Sequence, residues 1–364
     1  MKHNWVKYHL NALCNPKQWP TISARDLLNE GYPVYGANGL IGYYSDYNHE
    51  DETILITCRG ATCGTINISA PRSYITGNAM CLDGLDKRKC DIRFIYYALI
   101  RRGLNDVITG SAQPQITRQS LDNVTISLPP LEEQKRIAVI LDKADAIRWK
   151  RQQAIKHADD FLRATFLDMF GDPITNPKGW PVLPLEKVGK VSTGTTPSSE
   201  KAGMFGGNIP FITPGDLENG DEEIKRFVTE EGSRNSRIVR KGSTLVCCIG
   251  ATIGKIGIAQ ERSAFNQQIN AIEWYETVND LFGFGAMSFL RELVIERAIK
   301  TTLPILKKSE FEKINIPVPP PAIQAKYAKI FQYNSIIKEK RKSLNNYSNI
   351  LFNSLTQRAF RGEL

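Results

Sequence analysis

Histidine is scarce in this 364-residue chain: His3, His9, His49 and His157 are all there is, and no two stand at metal-clasping spacing. Cysteine is neither paired nor patterned. There are seven, an odd number, with no CxxC, and Cys58, Cys63, Cys81, Cys90, Cys247 and Cys248 sit among apolar or β-branched neighbours, as reduced core thiols do. Neither a disulfide framework nor a zinc cluster organises such a chain. No apolar run approaches the length of a membrane span, and "MKHNWVKYHL" lacks the apolar stretch of a signal peptide. The expectation is a cytoplasmic protein with no membrane partner. Acidic excess is missing too: 47 Lys plus Arg face 38 Asp plus Glu, for a net charge of +9. A polyanion is the simplest partner for that balance.

Catalytic signatures are also lacking. "GATIGK" (250–255) is one residue short of a phosphate loop, Ile256 replaces the Ser or Thr that would follow, and the sister segment "GATCGT" has no lysine. A β-turn between strands, with Gly60, Gly64, Gly250 and Gly254 supplying tight backbone geometry, is the expectation. Asp216, Glu223 and Lys225 imitate a nuclease triplet, but they have no counterpart elsewhere and read as an acidic surface loop. No Asn-Pro-Pro-aromatic tetrapeptide, G-x-S-x-G or motor segment is present. The pattern is that of a binder.

What is present is duplication. "CRGATCGTINIS" (58–69) returns as "CIGATIGKIGIA" (248–259), identical at seven of twelve positions and displaced by 190 residues. The same displacement aligns 111–138 with 301–328 without a gap, and sets Leu162 on Phe352 and Phe170 on Phe360. Further upstream, "WVKYHL" (5–10) resembles "WPVLPL" (180–185). A period this long marks a duplicated domain rather than a solenoid.

Each copy opens as a mixed region with short β-rich runs ("ETILITC", "STLVCCI") and one moderate helix ("IRFIYYALIRRG"; "LFGFGAMSFLRELVIERA"). Each closes with a β-like stretch, prolines and about forty residues of helical periodicity. Pro130 suits the opening turn of the first helix, and Glu132 and Glu133 complement its positive end. Apolar residues recur at seven: Ile140, Ile147, Ala154 and Phe161, then Leu141, Ile155, Leu162 and Met169; in the second copy Ile330, Ile337, Leu344 and Leu351, then Phe331, Phe352 and Ala359. Arg151 and Arg341 interrupt the stripes at equivalent positions. Helices of roughly 60 Å need partners, and the expected pairing runs through Ile140, Leu141, Ile147, Phe161, Leu162, Ile330, Ile337, Leu344, Leu351 and Phe352. The predicted fold is therefore α/β (α+β), duplicated, with two long antiparallel coiled-coil helices and a pseudo-two-fold. Its parts are a globule at 1–128, a helix at 129–172, a globule at 173–318 and a helix at 319–364.

A duplicated basic binder matches a DNA duplex, with one globule for each half of a bipartite site and the helices setting the gap. The repeated "GATxGxI", the segment "SAQPQIT" followed by "LPPLEEQKRIA", and the long terminal helices together resemble the specificity subunit of type I restriction–modification systems, over nearly the whole chain. That resemblance implies that each globule is a target recognition domain reading double-stranded DNA. It also implies two methyltransferase (modification) subunits and restriction subunits as partners. S-adenosylmethionine, ATP and magnesium would belong to those partners, leaving this chain non-catalytic and without cofactor or metal. The second copy departs at Leu303-Pro304-Ile305, where the first has Gln113-Pro114-Gln115, and Ile249 replaces Arg59.

Base reading draws on Arg, Lys, Asn and Gln, and phosphate contact on Lys, Arg, Ser and Thr. The first copy's loops supply Asn38, Arg59, Thr62, Arg72, Asn78, Gln113, Gln115 and Arg118. The second copy's supply Asn208, Thr213, Lys255, Asn266, Gln267, Gln268, Lys307 and Lys308. The rival readings are a protein-interaction scaffold working through its helices and a nuclease built on Asp216, Glu223 and Lys225.

Overall fold

Four consecutive residues, Ile54–Thr57, form a strand buried along its whole length in the computed structural model, which describes residues 5–110, 113–217, 224–299 and 303–364. The two-residue period sorts the side chains between two cores. Ile54, Ile56 and Cys58 meet Phe94, Ile95 and Leu99 of the helix Ile92–Arg102, while Leu55 joins Ile75, Ala79 and Cys81 on the opposite face. A strand covered on both faces needs an unbroken apolar run, which is why "ILITC" reads as it does. The second copy repeats the sorting. Val246 and Cys248 meet Trp274 and Phe282, while Leu245 and Cys247 meet Ile212 and Phe265.

The duplication holds at the level of register. Ile54 pairs with Ile68 and Ile56 with Ile66; the residues 190 further on, Thr244 with Ile258 and Val246 with Ile256, pair identically. In the first copy Asn15–Lys17, Ala79–Asp83, Ile54–Thr57 and Ile66–Ile68 lie side by side in an antiparallel sheet, and Gly39–Tyr44, Tyr32–Gly36 and Tyr74–Ile75 form a smaller mixed one. The second copy matches with Gly189–Thr193, Ile269–Trp274, Thr244–Cys247 and Ile256–Ile258, beside a sheet of Phe227–Val228, Phe205–Ile212, Ser263–Phe265 and Ile238–Val239. Val6–His9 pairs with Thr125–Leu128, and Val182–Pro184 with Asn315–Pro317, so the early resemblance of "WVKYHL" and "WPVLPL" is one of structural role.

The chain divides into two compact units, Met1–Gln153 with Lys342–Leu364, and Ala154–Arg341. Both long helices, Leu131–Phe170 and Pro321–Ala359, are cut by this division, so each unit owns a half of each. In the first unit Arg136 meets Leu364, Arg148 lies over Phe352 and Arg151 meets Leu344, a falling order that makes the halves antiparallel. In the second, Ala154 meets Arg341, Ala158 meets Asn334 and Phe166 meets Tyr327, again antiparallel.

Aromatic plugs tie helix to globule. Phe170 packs 4.7 Å from Phe282, and its counterpart Phe360 packs 5.1 Å from Phe94. A buried glutamine completes each joint. Gln134 donates to the carbonyls of Lys89 and Pro129 and accepts from the Asp91 amide; Gln324 does the same with Thr277, Pro319 and Asn279.

Two expectations need correction. The stretch "LFGFGAMSFLRELVIERA" is two helices, Asp280–Phe289 and Arg291–Glu296, because Leu290 turns away at φ −87°, ψ 8° to bury its side chain. The helix stripes are also differently placed. Ile147, Phe161, Ile337, Leu344 and Leu351 are about half exposed, at 52%, 54%, 46%, 50% and 61%, and lie on the flank. Leu141 and Phe352 are buried, and Ile140, Leu162 and Ile330 are at most partly covered. Ala138, Ala158, Asn334, Ser348 and Thr356 are buried instead, and two of the contacts between helix halves run from Asn334 to the Ala158 carbonyl and from Arg151 to Ser348.

Candidate nucleic-acid interface

In the first unit the repeated segment forms a turn between paired strands, closed by Thr57 and Gly64 backbone bonds, with Gly60 and Gly64 at φ +85° and +89°. The 113–118 loop then lies against it. Arg59 bridges antiparallel to Gln115, the Gly60 amide donates to Pro114, and the Ile116 amide donates to Cys58. Gly110, at φ +84°, allows the loop to fold back, since a side chain there would meet the Gln113 carbonyl at 2.5 Å.

The result is an open groove of about 260 Å³ lined by Lys17, Gln18, Arg59, Gln115, Thr117 and Arg118. The sequence-derived Arg59, Gln115 and Arg118 thus meet in one place. Among the described residues the Arg59 and Arg118 guanidinium groups have no ion-pair partner. Behind the groove, burial raises the Cys58 pKa, an effect partly offset by a hydrogen bond from Gln18 and the charge of Arg59. The two arginines, beside the Gln115 side chain, form a surface suited to an anionic, hydrogen-bonding ligand.

Other candidates of this unit sit elsewhere or are occupied. Thr62 and Asn38 hydrogen-bond to each other on the turn. Asn78 is exposed, and its carbonyl receives the Cys58 thiol at 3.3 Å. Gln113 is exposed beside the groove. Arg72 is ion-paired with Glu50 at 3.0 Å, which raises its own pKa; Glu50 is lowered first by Tyr47 and then by Arg72.

In the second unit Lys255 lies on the repeat turn, and Lys307 and Lys308 follow the matching loop, Lys308 being paired with Glu312 at 2.9 Å. Gln268 donates to the Ile249 carbonyl, Asn266 accepts from the Gln268 amide at 2.6 Å, and Gln267 is bonded to Thr196. Thr213 donates through both its amide and its hydroxyl to Asp216, which closes a turn. Asn208 is exposed on the strand Phe205–Ile212. Of the nuclease-like triplet, Asp216 is engaged in that turn, while Glu223 lies outside the described residues.

Sequence reasoning missed Lys17, Gln18, Thr109 and Thr117. Lys17 sits 3.8 Å over the Trp19 ring, and its strand reaches the groove only by pairing with Ala79–Asp83. No local pattern announces that pairing. His49, Cys81 and Asp83 offer metal-ligand atoms within 4.8 Å of one another. Both His49 nitrogens are hydrogen-bonded, to Asn48 and Asp83, and Asp83 also accepts from Trp19, so the cluster is internally satisfied.

A family model described as the type I restriction modification DNA specificity domain matches residues 2–157 and again 177–346. The chain belongs to that family. The MjaIX specificity subunit of Methanocaldococcus jannaschii is 32% identical over 46% of this chain and 41% of its own length. The EcoprrI specificity subunit of Escherichia coli is 32% identical over 32% of this chain and 28% of its own. The chain therefore matches less than half the length of these two relatives. The crystal structure of an S subunit from M. genitalium shares the fold at a TM-score of 0.66, with 19% identity over 98% of this chain and 96% of that one. No helix among the described residues is long and apolar enough to cross a membrane.

Proposed function

We propose that this specificity-family chain is the non-catalytic DNA-reading subunit of a type I restriction–modification complex. Each unit reads one half of a bipartite, asymmetric target in double-stranded DNA. The observation that carries the reading is the groove in which Arg59, Gln115 and Arg118 converge on a loop framework that the second unit repeats.

Adenine methylation or cleavage falls to two modification subunits and to restriction subunits, which bring S-adenosylmethionine, ATP and magnesium. Exposed apolar side chains on the helix halves support such docking: Trp149 and Tyr347 in the first unit, Tyr333 and Ile336 in the second, at 60%, 62%, 71% and 51%.

The test is a genome-wide map of N6-methyladenine with and without this gene. One bipartite motif should vanish on deletion. An unchanged map, with no specific duplex retained by the purified complex, overturns the proposal.

A further inference from the structure

Arg59, Gln115 and Thr109 stand abreast in the first unit, Gln115 bridging antiparallel to both neighbours. Residues directly opposed in antiparallel pairs project from the same face, so the three side chains form a row. In the second unit the positions 190 further on are Ile249, Ile305 and Ile299, bridged in the same way. The framework is otherwise preserved bond for bond. Gly60 to Pro114 at 3.1 Å becomes Gly250 to Pro304 at 2.9 Å, and Ile116 to Cys58 at 3.0 Å becomes Leu306 to Cys248 at 2.8 Å. One backbone thus displays a polar row in one unit and three isoleucines in the other.

The isoleucine row is not sealed into a core. Ile299 is 53% exposed, and Ile249 and Ile305 are partly so. Cations and amides flank it: Lys255 on the repeat turn, exposed Lys307 two residues past Ile305, and Gln268 bonded to the Ile249 carbonyl. An apolar strip edged by ammonium groups suits a ligand with apolar points on an anionic frame. DNA has such points in its major groove, where thymine alone carries a C5-methyl group. At about 4.8 Å per strand the row spans about 10 Å, which fits a groove about 12 Å wide.

We propose that Ile249, Ile305 and Ile299 read thymine methyl groups in the second unit's half-site, whereas Arg59, Gln115 and Thr109 read purine hydrogen-bonding edges in the first unit's. This rests on the DNA-reading function proposed above. The test uses the complex purified through a tag on this chain and the duplex found by methylation mapping. Each thymine is replaced in turn by deoxyuridine, which keeps base pairing and removes only the methyl.

Binding should weaken about fourfold, the factor carried by one buried methyl, at one or more positions of one half-site. The Ile249→Asn, Ile305→Asn double variant should lose that sensitivity at the positions those two residues read, and Arg59→Ala, though it binds more weakly overall, should keep it. Deoxyuridine tolerated at every position by a complex that still discriminates its target overturns the assignment and leaves the DNA-reading function standing. A complex that selects no duplex at all overturns both. The deoxyuridine series on the unaltered complex decides the matter even if the double variant misfolds.

Discussion

The Arg151 guanidinium donates to the main-chain carbonyl of Leu344 at 2.9 Å, and Arg341 donates to that of Ala154 at 2.7 Å. A shift of 190 carries one bond onto the other, donor on donor (151 to 341) and acceptor on acceptor (154 to 344). The arginines that break the apolar stripes are cross-braces between helix halves. Arg151→Ala should cost about 1–2 kcal/mol through the lost charge-assisted bonds, and Arg341→Ala a similar amount. Urea unfolding of each variant checks this; no change in midpoint would mean that water replaces the brace without loss.

The buried glutamines should matter more. Gln134→Ala leaves two carbonyls and one amide without partners inside the protein, at a cost of roughly 2–4 kcal/mol. Gln134→Glu should also destabilise, because a carboxylate offers no donor to Lys89 and Pro129. Gln324→Ala is the matching test in the second unit, read by thermal melting.

These residues also show what the sequence could and could not reveal. The repeat, the glycine turns and the short β-rich runs are legible in the sequence, because burial on both faces forces a continuous apolar run that survives duplication. The helix seam is hard to place from the sequence for a physical reason. Neighbouring columns such as Ile140 and Leu141 are both apolar, and the close contact uses Ala158, Asn334 and Ser348, which do not stand out as core residues. The groove was half legible. Arg59, Gln115 and Arg118 lie on repeat loops, whereas Lys17 arrives through a strand pairing between distant segments.

Arg59 lines the groove with no internal ion pair, so Arg59→Ala should weaken specific binding by roughly 1–3 kcal/mol and relax preference at one base pair. A filter-binding series on the mapped target and its single-base variants measures both. Equal affinity for the cognate site would remove Arg59 from the reading surface. Arg72, held by Glu50, should show a smaller effect.

Lys307 should act on phosphate. Lys307→Ala is expected to weaken binding on every sequence and to lower the salt slope by about 0.9, the share of one phosphate contact. Lys308, engaged by Glu312, should change the slope less. Titration of affinity against salt concentration separates the two.

Burial pushes the Cys14 and Cys248 thiols up to about 12 from an ordinary value of 9.0. A folded-state value above the unfolded one favours the fold while the thiol is protonated. That contribution is complete below pH 9.0 and is lost as pH climbs towards 12. Urea midpoints should therefore fall from pH 8 to pH 10, and less steeply in Cys248→Ala.

The division of the chain also governs its assembly in time. Residues 154–341 form an uninterrupted unit, whereas residues 1–153 share theirs with 342–364. Trp5 and Phe94 receive Phe360 between them, a ring that leaves the ribosome long after they do. The unit begun before residues 154–341 are made is thus completed only after them. Until then its apolar joint stands open, and chaperone binding to nascent chains should concentrate there.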